Sequence, residues 1–158
     1  MEKITNFQKT LLFNFFMECL VYSSVKNKIF SDKKTKEIVF YILKFLKKKG
    51  DVSIHFIGDT KMKKINNLYR GKKNTTDVLS FANLDKIFFE KDDELGDIFL
   101  SIPQIKRQAK KYKVSQKQEF NRMITHGLLH LLAYNHEDKK EAKKMFELQE
   151  KILKKINI

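Results

Sequence analysis

The stretch Met123–Tyr134 constrains this chain more than any other. It is apolar almost all round, which marks a helix buried in a core. Yet it carries His126 and His130. Two imidazoles placed there without partners would be costly, so the fold has to supply hydrogen-bond partners or an ion. The two histidines are i and i+4, one above the other on a single helix face. His136 follows after Ala133-Tyr134-Asn135, where the chain can turn back, with Asn135 as the expected left-handed terminator. The result is a three-imidazole cup. Three neutral nitrogens with one position left open is the arrangement of catalytic zinc.

The other metal-binding types are excluded by composition. Cys19 is the only cysteine. No intrachain disulfide can form, no Cys₄ or Cys₂His₂ site is possible, and a cytoplasmic setting is expected. The fourth histidine, His55, stands alone in a predicted strand and reads as structural.

The spacing of the three histidines is that of the H-E-x-x-H-x-x-G-x-x-H metallopeptidases. Those enzymes need a glutamate directly after the first histidine to take a proton from water. Here that residue is Gly127, and the glycine of the turn is Ala133. The metal cup is present and the peptidase base is absent, so the spacing predicts a metal hydrolase with another substrate or another base.

The chain has 158 residues and reads as a single domain over 1–158. Its formal net charge of +14 favours polyanionic partners. That charge is mostly lysine, in the Phe-, Ile- and Asn-rich composition that an AT-rich coding sequence gives without selection for binding. The arginines Arg70, Arg107 and Arg122 are therefore more informative. No apolar run is long enough for a membrane-spanning helix, and no membrane partner is expected. Leu11–Tyr22 has the outline of a signal peptide, but Asn14 and Glu18 interrupt it. It is expected to be a core strand or helix, with Thr10–Glu18 left open between the two.

Along the chain, Ser31-Asp32 is a helix start, followed by Ile38, Ile42, Phe45 and Leu46 at helical spacing. Val52–Ile57 alternates as a strand. Asp59 or Thr60 caps a short helix that carries Met62, Ile65 and Leu68 and stops at Gly71. Asp77–Ala82 and Gly96–Ser101 are strands joined by a polar connection, Asn83–Glu94. Pro103 opens a helix that runs to about Lys113, Ser115 opens a longer one, and a last helix, Lys139–Ile156, is expected to bury Met145, Phe146, Ile152 and Ile156. The mixture predicts an α+β fold, a small mixed sheet covered by helices with the metal site on a buried helix.

A second constellation runs from Asn67 to Phe81. A helix ends, a basic loop follows, and a strand begins. Arg70 can hold a phosphate bidentately, and Lys72 and Lys73 add unspecific phosphate attraction. The alternative for Arg70 is a helix-end arginine paired with Asp77 or with the helix carbonyls. On the helix after Pro103, Lys106, Lys110 and Lys113, with Arg107 and Lys111, make either an RNA backbone track or a solvated face.

With both segments quoted, the chain resembles the YbeY family of rRNA-maturation endoribonucleases. The family pattern H-G-x-L-H-L-x-G-Y-D-H reads here as His126-Gly127-Leu128-Leu129-His130-Leu131-Leu132-Ala133-Tyr134-Asn135-His136. The pattern Y-R-G-K-x-x-P-T-D-V-L-S-F reads as Tyr69 to Phe81, and L-G-D-I as Leu95 to Ile98. The resemblance covers about Val52 onward. It implies a zincin-like α+β fold, one zinc per chain on His126, His130 and His136, and metal-assisted cleavage of single-stranded RNA. It further implies work on rRNA precursors of the small ribosomal subunit and in ribosome quality control. Arg70 falls on the family arginine, implying RNA binding or catalysis. Ala133, Asn135 and Thr75 depart from the family's glycine, aspartate and proline. Two other functions remain beside the endoribonuclease: a ribosome-assembly or RNA-binding factor with a structural zinc, and a metallopeptidase.

Overall fold

The structure is a computed structural model that describes residues 17–83 and 94–156. The expectations for Thr10–Glu18 and for the polar connection after Asn83 fall almost wholly outside the described residues. The elements are β1 (Cys19–Ser23), α1 (Asp32–Phe45), β2 (Asp51–Ile57), α2 (Asp59–Arg70), β3 (Val78–Ala82), β4 (Glu94–Ser101), α3 (Ile102–Tyr112), α4 (Gln116–Leu131) and α5 (Lys139–Ile156).

The strands form one sheet in the order β1-β2-β4-β3. β1, β2 and β4 are parallel, and β3 runs antiparallel along β4 at the edge. Parallel neighbours need crossovers. Here α1 joins β1 to β2, while α2 and β3 lie between β2 and β4. The α+β, mixed-sheet expectation holds, and the end of the run expected to be a core strand or helix is the strand β1.

Alternation along the strands separates two faces. Val52, Ile54 and Phe56 of β2 and Ile98 and Leu100 of β4 are buried in the main core with Phe120, Ile124 and Leu128 of α4. Each such side chain contributes about 1.5–3 kcal/mol by leaving water. On the other face a smaller cluster of Ile57, Met62 and Leu79 lies under α2.

α4 lies directly on the sheet because of Gly127. A Cβ there would stand 2.9 Å from Ile98 Cγ2 and 3.1 Å from Ser80 Oγ. The Ser80 hydroxyl donates to the Gly127 carbonyl at 3.2 Å. Any side chain at position 127 would therefore enter the sheet. The residue that follows His126 is a glycine for packing.

Most helix ends agree with the sequence signals. Ser31 caps α1, Ser115 and Gln118 form a capping box on α4, Pro103 sits in the first turn of α3, and Gly71 closes α2 with φ 65°. Four expectations are corrected. α2 is preceded by Gly58, not capped by Asp59 or Thr60. The Asp59 carboxylate is engaged elsewhere: it accepts from both Arg107 terminal nitrogens at 2.8 and 2.9 Å, and from Ser101 and Thr75. Leu68 is 74% exposed, because α2 turns Met62 and Ile65 toward the sheet instead. Phe45 and Phe146 are also exposed.

The fourth correction lies at the end of α4. The left-handed residue is Ala133 (φ 66°), not Asn135. Tyr134 N donates to Leu129 O and Ala133 N to His130 O, both at 3.0 Å. These two bonds define a Schellman closure, and its geometry assigns the left-handed position to the residue after the C-cap, Leu132. An alanine there costs about 1–2 kcal/mol that a glycine would not. Ala133→Gly is expected to stabilise the protein by roughly 0.5–1 kcal/mol after its greater unfolded-state freedom is subtracted. Thermal unfolding should show a rise of about 2–4 °C per kcal/mol. A lower midpoint would mean that the turn carries no such strain.

Candidate metal centre

α4 holds His126 and His130 one turn apart, and the Schellman closure reverses the chain so that His136 returns toward them. Asn135 Oδ1 accepts from Glu137 N at 3.4 Å, a side-chain turn spanning His136. The ring centroids are 4.6 Å apart for His126 and His130, 5.5 Å for His126 and His136, and 5.1 Å for His130 and His136. One ligand nitrogen from each lies within 4.8 Å of the others. The structure brings together all three histidines expected from the sequence.

The protonation states suit a ligand role. His126 Nδ1 lies 3.0 Å from Gln149 Oε1. An amide oxygen only accepts, so Nδ1 carries the proton and Nε2 offers its lone pair. Burial, above all, holds the His126 imidazole below its ordinary range. Burial and then the neighbouring His126 and His136 push His130 down to about 4. Both rings are neutral at pH 7, as metal binding requires. His126 Nε2 and His130 Nε2 stand 3.0 Å apart. Nitrogens about 2.0–2.1 Å from one tetrahedral zinc would stand roughly 3.3 Å apart, so small ring motions close the pair on an ion. The residues fit a divalent transition metal.

Two side chains of α5 complete the surroundings. Gln149, 5% exposed, orients His126. Phe146 lies near parallel to the rings of His126 and His136, at 6.4 and 5.9 Å. Its exposure, unexpected from its helical spacing, follows from this position beside the cup. Neither residue was anticipated. The available signal was Gln149 itself: with Met145 and Ile152 it occupies a buried stripe of α5, where a glutamine is unusual.

Arg70 ends α2, exposed, and its charge is among those that disfavour protonation of His130. Its side chain makes no hydrogen bond or ion pair among the described residues. The alternative pairing with Asp77 does not form. Asp77 instead accepts from Val78 N, the Thr76 hydroxyl and Gln108 Nε2. Lys72 and Lys73 follow, both exposed. The α3 track is interrupted: Arg107 is committed to Asp59, and Lys106 Nζ donates to Asn27 O at 3.3 Å. His55 has its partner in Asp97 at 2.6 Å and is stacked between Tyr22 and Phe99, in keeping with a structural role.

A cavity of about 400 Å³ opens beside His126, bounded by Asp77, Arg122, Met123, Phe146 and Gln149. The site is thus a three-histidine cup with an exposed arginine near one histidine and a groove beside another.

A family model described as "Endoribonuclease YbeY" matches residues 22–157. The chain belongs to the YbeY family. It is 43% identical over 117 residues to "Endoribonuclease YbeY" of Acholeplasma laidlawii, spanning 74% of this chain and 82% of that protein. It is 42% identical over 133 residues to the protein of the same description from Phytoplasma mali, spanning 79% and 86%. Among solved structures it is similar to the solution structure of TM1509 from Thermotoga maritima, with TM-score 0.61 and 27% identity over 85% of this chain and 86% of that one. YbeY-family membership covers β2 through α5 and, beyond the motifs quoted above, takes in α1. Among the described residues no helix is long and apolar enough to cross a membrane.

Proposed function

We propose that this protein is a zinc-dependent endoribonuclease that cleaves single-stranded RNA in the maturation of small-subunit rRNA. The observation that carries the reading is the cup itself: three converging imidazoles, one oriented by a buried glutamine, in a chain whose relatives are described as endoribonucleases. His126, His130 and His136 would hold one zinc. When bound, the ion would polarise a phosphoryl oxygen and make water more acidic.

The chain's own residues supply the remainder. Among the described residues Arg70 has no partner to give up before it grips a phosphate, and its guanidinium opposes the charge that develops there. Lys72 and Lys73 draw the polyanion to that loop. Asp77 has both carboxylate oxygens engaged, so it acts as a fixed negative charge near His126.

The test is cleavage of end-labelled single-stranded and duplex RNA by zinc-loaded protein. Cleavage of the single strand should stop with chelator and return with zinc. Tight RNA binding without turnover in any metal would favour the assembly-factor reading, which the absence of a carboxylate from the three-histidine group keeps in view. The peptidase reading finds no support, since position 127 faces the sheet.

A further inference from the structure

The cavity beside His126 adjoins a second, of about 500 Å³, which shares Asp77, Arg122 and Met123 with it. Gln108, Tyr112 and Glu119 bound its far end. Together they have the size of a small-ligand site.

Among the described residues, two acceptors on side chains that line this wall, both closed off from solvent, lack a hydrogen-bond donor. Glu119 is 1% exposed, and its Oε2 accepts no hydrogen bond. Arg122 Nε approaches it only to 3.6 Å. Burial pushes the Glu119 carboxyl above its ordinary range, with Arg122 opposing. Gln108 Nε2 donates to Asp77 Oδ2 at 2.9 Å. A carboxylate only accepts, so the amide orientation is fixed, and its Oε1 is left buried without a partner. Unpaired buried acceptors are rare and costly.

The rest of the groove offers an aromatic face, apolar surface and a cation. Tyr112 is 56% exposed, and Val114 and Met123 add apolar surface. Arg122 is held loosely, 3.6 Å from Glu119 and 3.5 Å from Glu150.

We propose that this groove is a base-specificity subsite that takes a guanine of the strand being cleaved. The proposal rests on the RNA-cleaving reading of the adjacent cup. Guanine alone presents two neighbouring donors, N1–H and the N2 amino group, on its Watson–Crick edge. Adenine and cytosine pair one amino group with a ring acceptor, and uracil places its N–H between two carbonyls. Two acceptors in one wall, uncovered as the strand binds, therefore favour guanine. Tyr112 supplies a stacking face, as aromatic side chains do for single-stranded bases. Arg122 turns to a backbone phosphate, and in doing so uncovers Glu119 Oε2 for the base.

The test uses zinc-loaded full-length protein and oligouridylates that differ only in one central G, A or C. Cleavage beside the guanosine should have a kcat/KM about ten- to a hundredfold above cleavage beside the other bases, the discrimination of a bidentate base contact. Glu119→Gln preserves the size of the side chain and removes a buried charge, so the fold is retained. It should narrow the ratio to within about twofold, because the amide loses the charge and replaces one of the two carboxylate oxygens with a donor. Arg70→Ala should slow every substrate and leave the ratio unchanged. Equal cleavage beside all four bases, or an unaltered ratio in Glu119→Gln, overturns the subsite. If no oligonucleotide is cleaved, the RNA-cleaving reading fails. The same set titrated in chelator by fluorescence anisotropy then decides the subsite alone. Tighter binding of the G oligonucleotide, lost in Glu119→Gln, supports it, and equal binding of all overturns it.

Discussion

Arg70→Ala is expected to keep about one zinc per chain and to lower RNA cleavage by about a hundredfold or more, the usual effect of removing one preorganised electrostatic group. The reasoning is positional. Arg70 ends α2 with no ion pair among the described residues, so the substitution disturbs no packing and leaves no orphaned carboxylate. Its charge reaches His130, so a phosphate lying at the cup lies within its field. The loss should fall on kcat more than on KM, because the guanidinium is expected to meet the charge that builds up during the reaction. Arg70→Lys should recover only part of the rate, since an ammonium is a point charge without the two-pronged geometry. Equal cleavage by Arg70→Ala and wild type would remove this residue from the mechanism.

Metal affinity should fall in two distinct steps along the cup. His130→Ala removes one of three ligands and is expected to abolish stoichiometric zinc in elemental analysis, and cleavage with it. Gln149→Leu keeps every ligand but removes the acceptor that fixes the His126 tautomer. Changes of this kind weaken metal binding about 10–100-fold. Competition with a chromophoric chelator measures both. An affinity in Gln149→Leu equal to wild type would reduce Gln149 to a space-filling role. Zinc retained at full stoichiometry in His130→Ala would place the ion elsewhere.

The sequence revealed the cup because its ligands are local. Two histidines at i and i+4 need only a helix, and the third needs only a turn. Ser31, Ser115, Pro103 and Gly71 were equally legible, since caps act within one turn of themselves. Partners arriving from distant elements were not legible. Gln149 reaches His126 from the next helix, and Arg107 is drawn to Asp59 across |i−j| = 48. No pattern local to either residue announces such pairs. The sequence leaves β1 open between strand and helix, because the apolar run Leu11–Tyr22, which takes in most of it, lacks the alternation of a half-buried strand. Asn135 drew the terminator assignment on propensity. The Schellman closure set the left-handed position two residues earlier, and Ala133 occupies it at the cost of strain. Gly127 was read as a missing base, and its deeper reason, contact with Ile98 and Ser80, needed the sheet.

The place of α4 in the chain has a consequence for how the protein is made. The helix packs against β3, β4, α1, α3 and α5, and it covers the apolar face of the sheet. During synthesis every strand leaves the ribosome before it does. Until α4 emerges, Ile54, Phe56, Ile98 and Leu100 have only α1 and α3 to bury against, without Phe120, Ile124 and Leu128. The same helix carries the first two histidines. The core is therefore completed and the cup assembled late, and a nascent chain that stalls before α4 lacks both the helix that covers the sheet and the first two ligands for the ion.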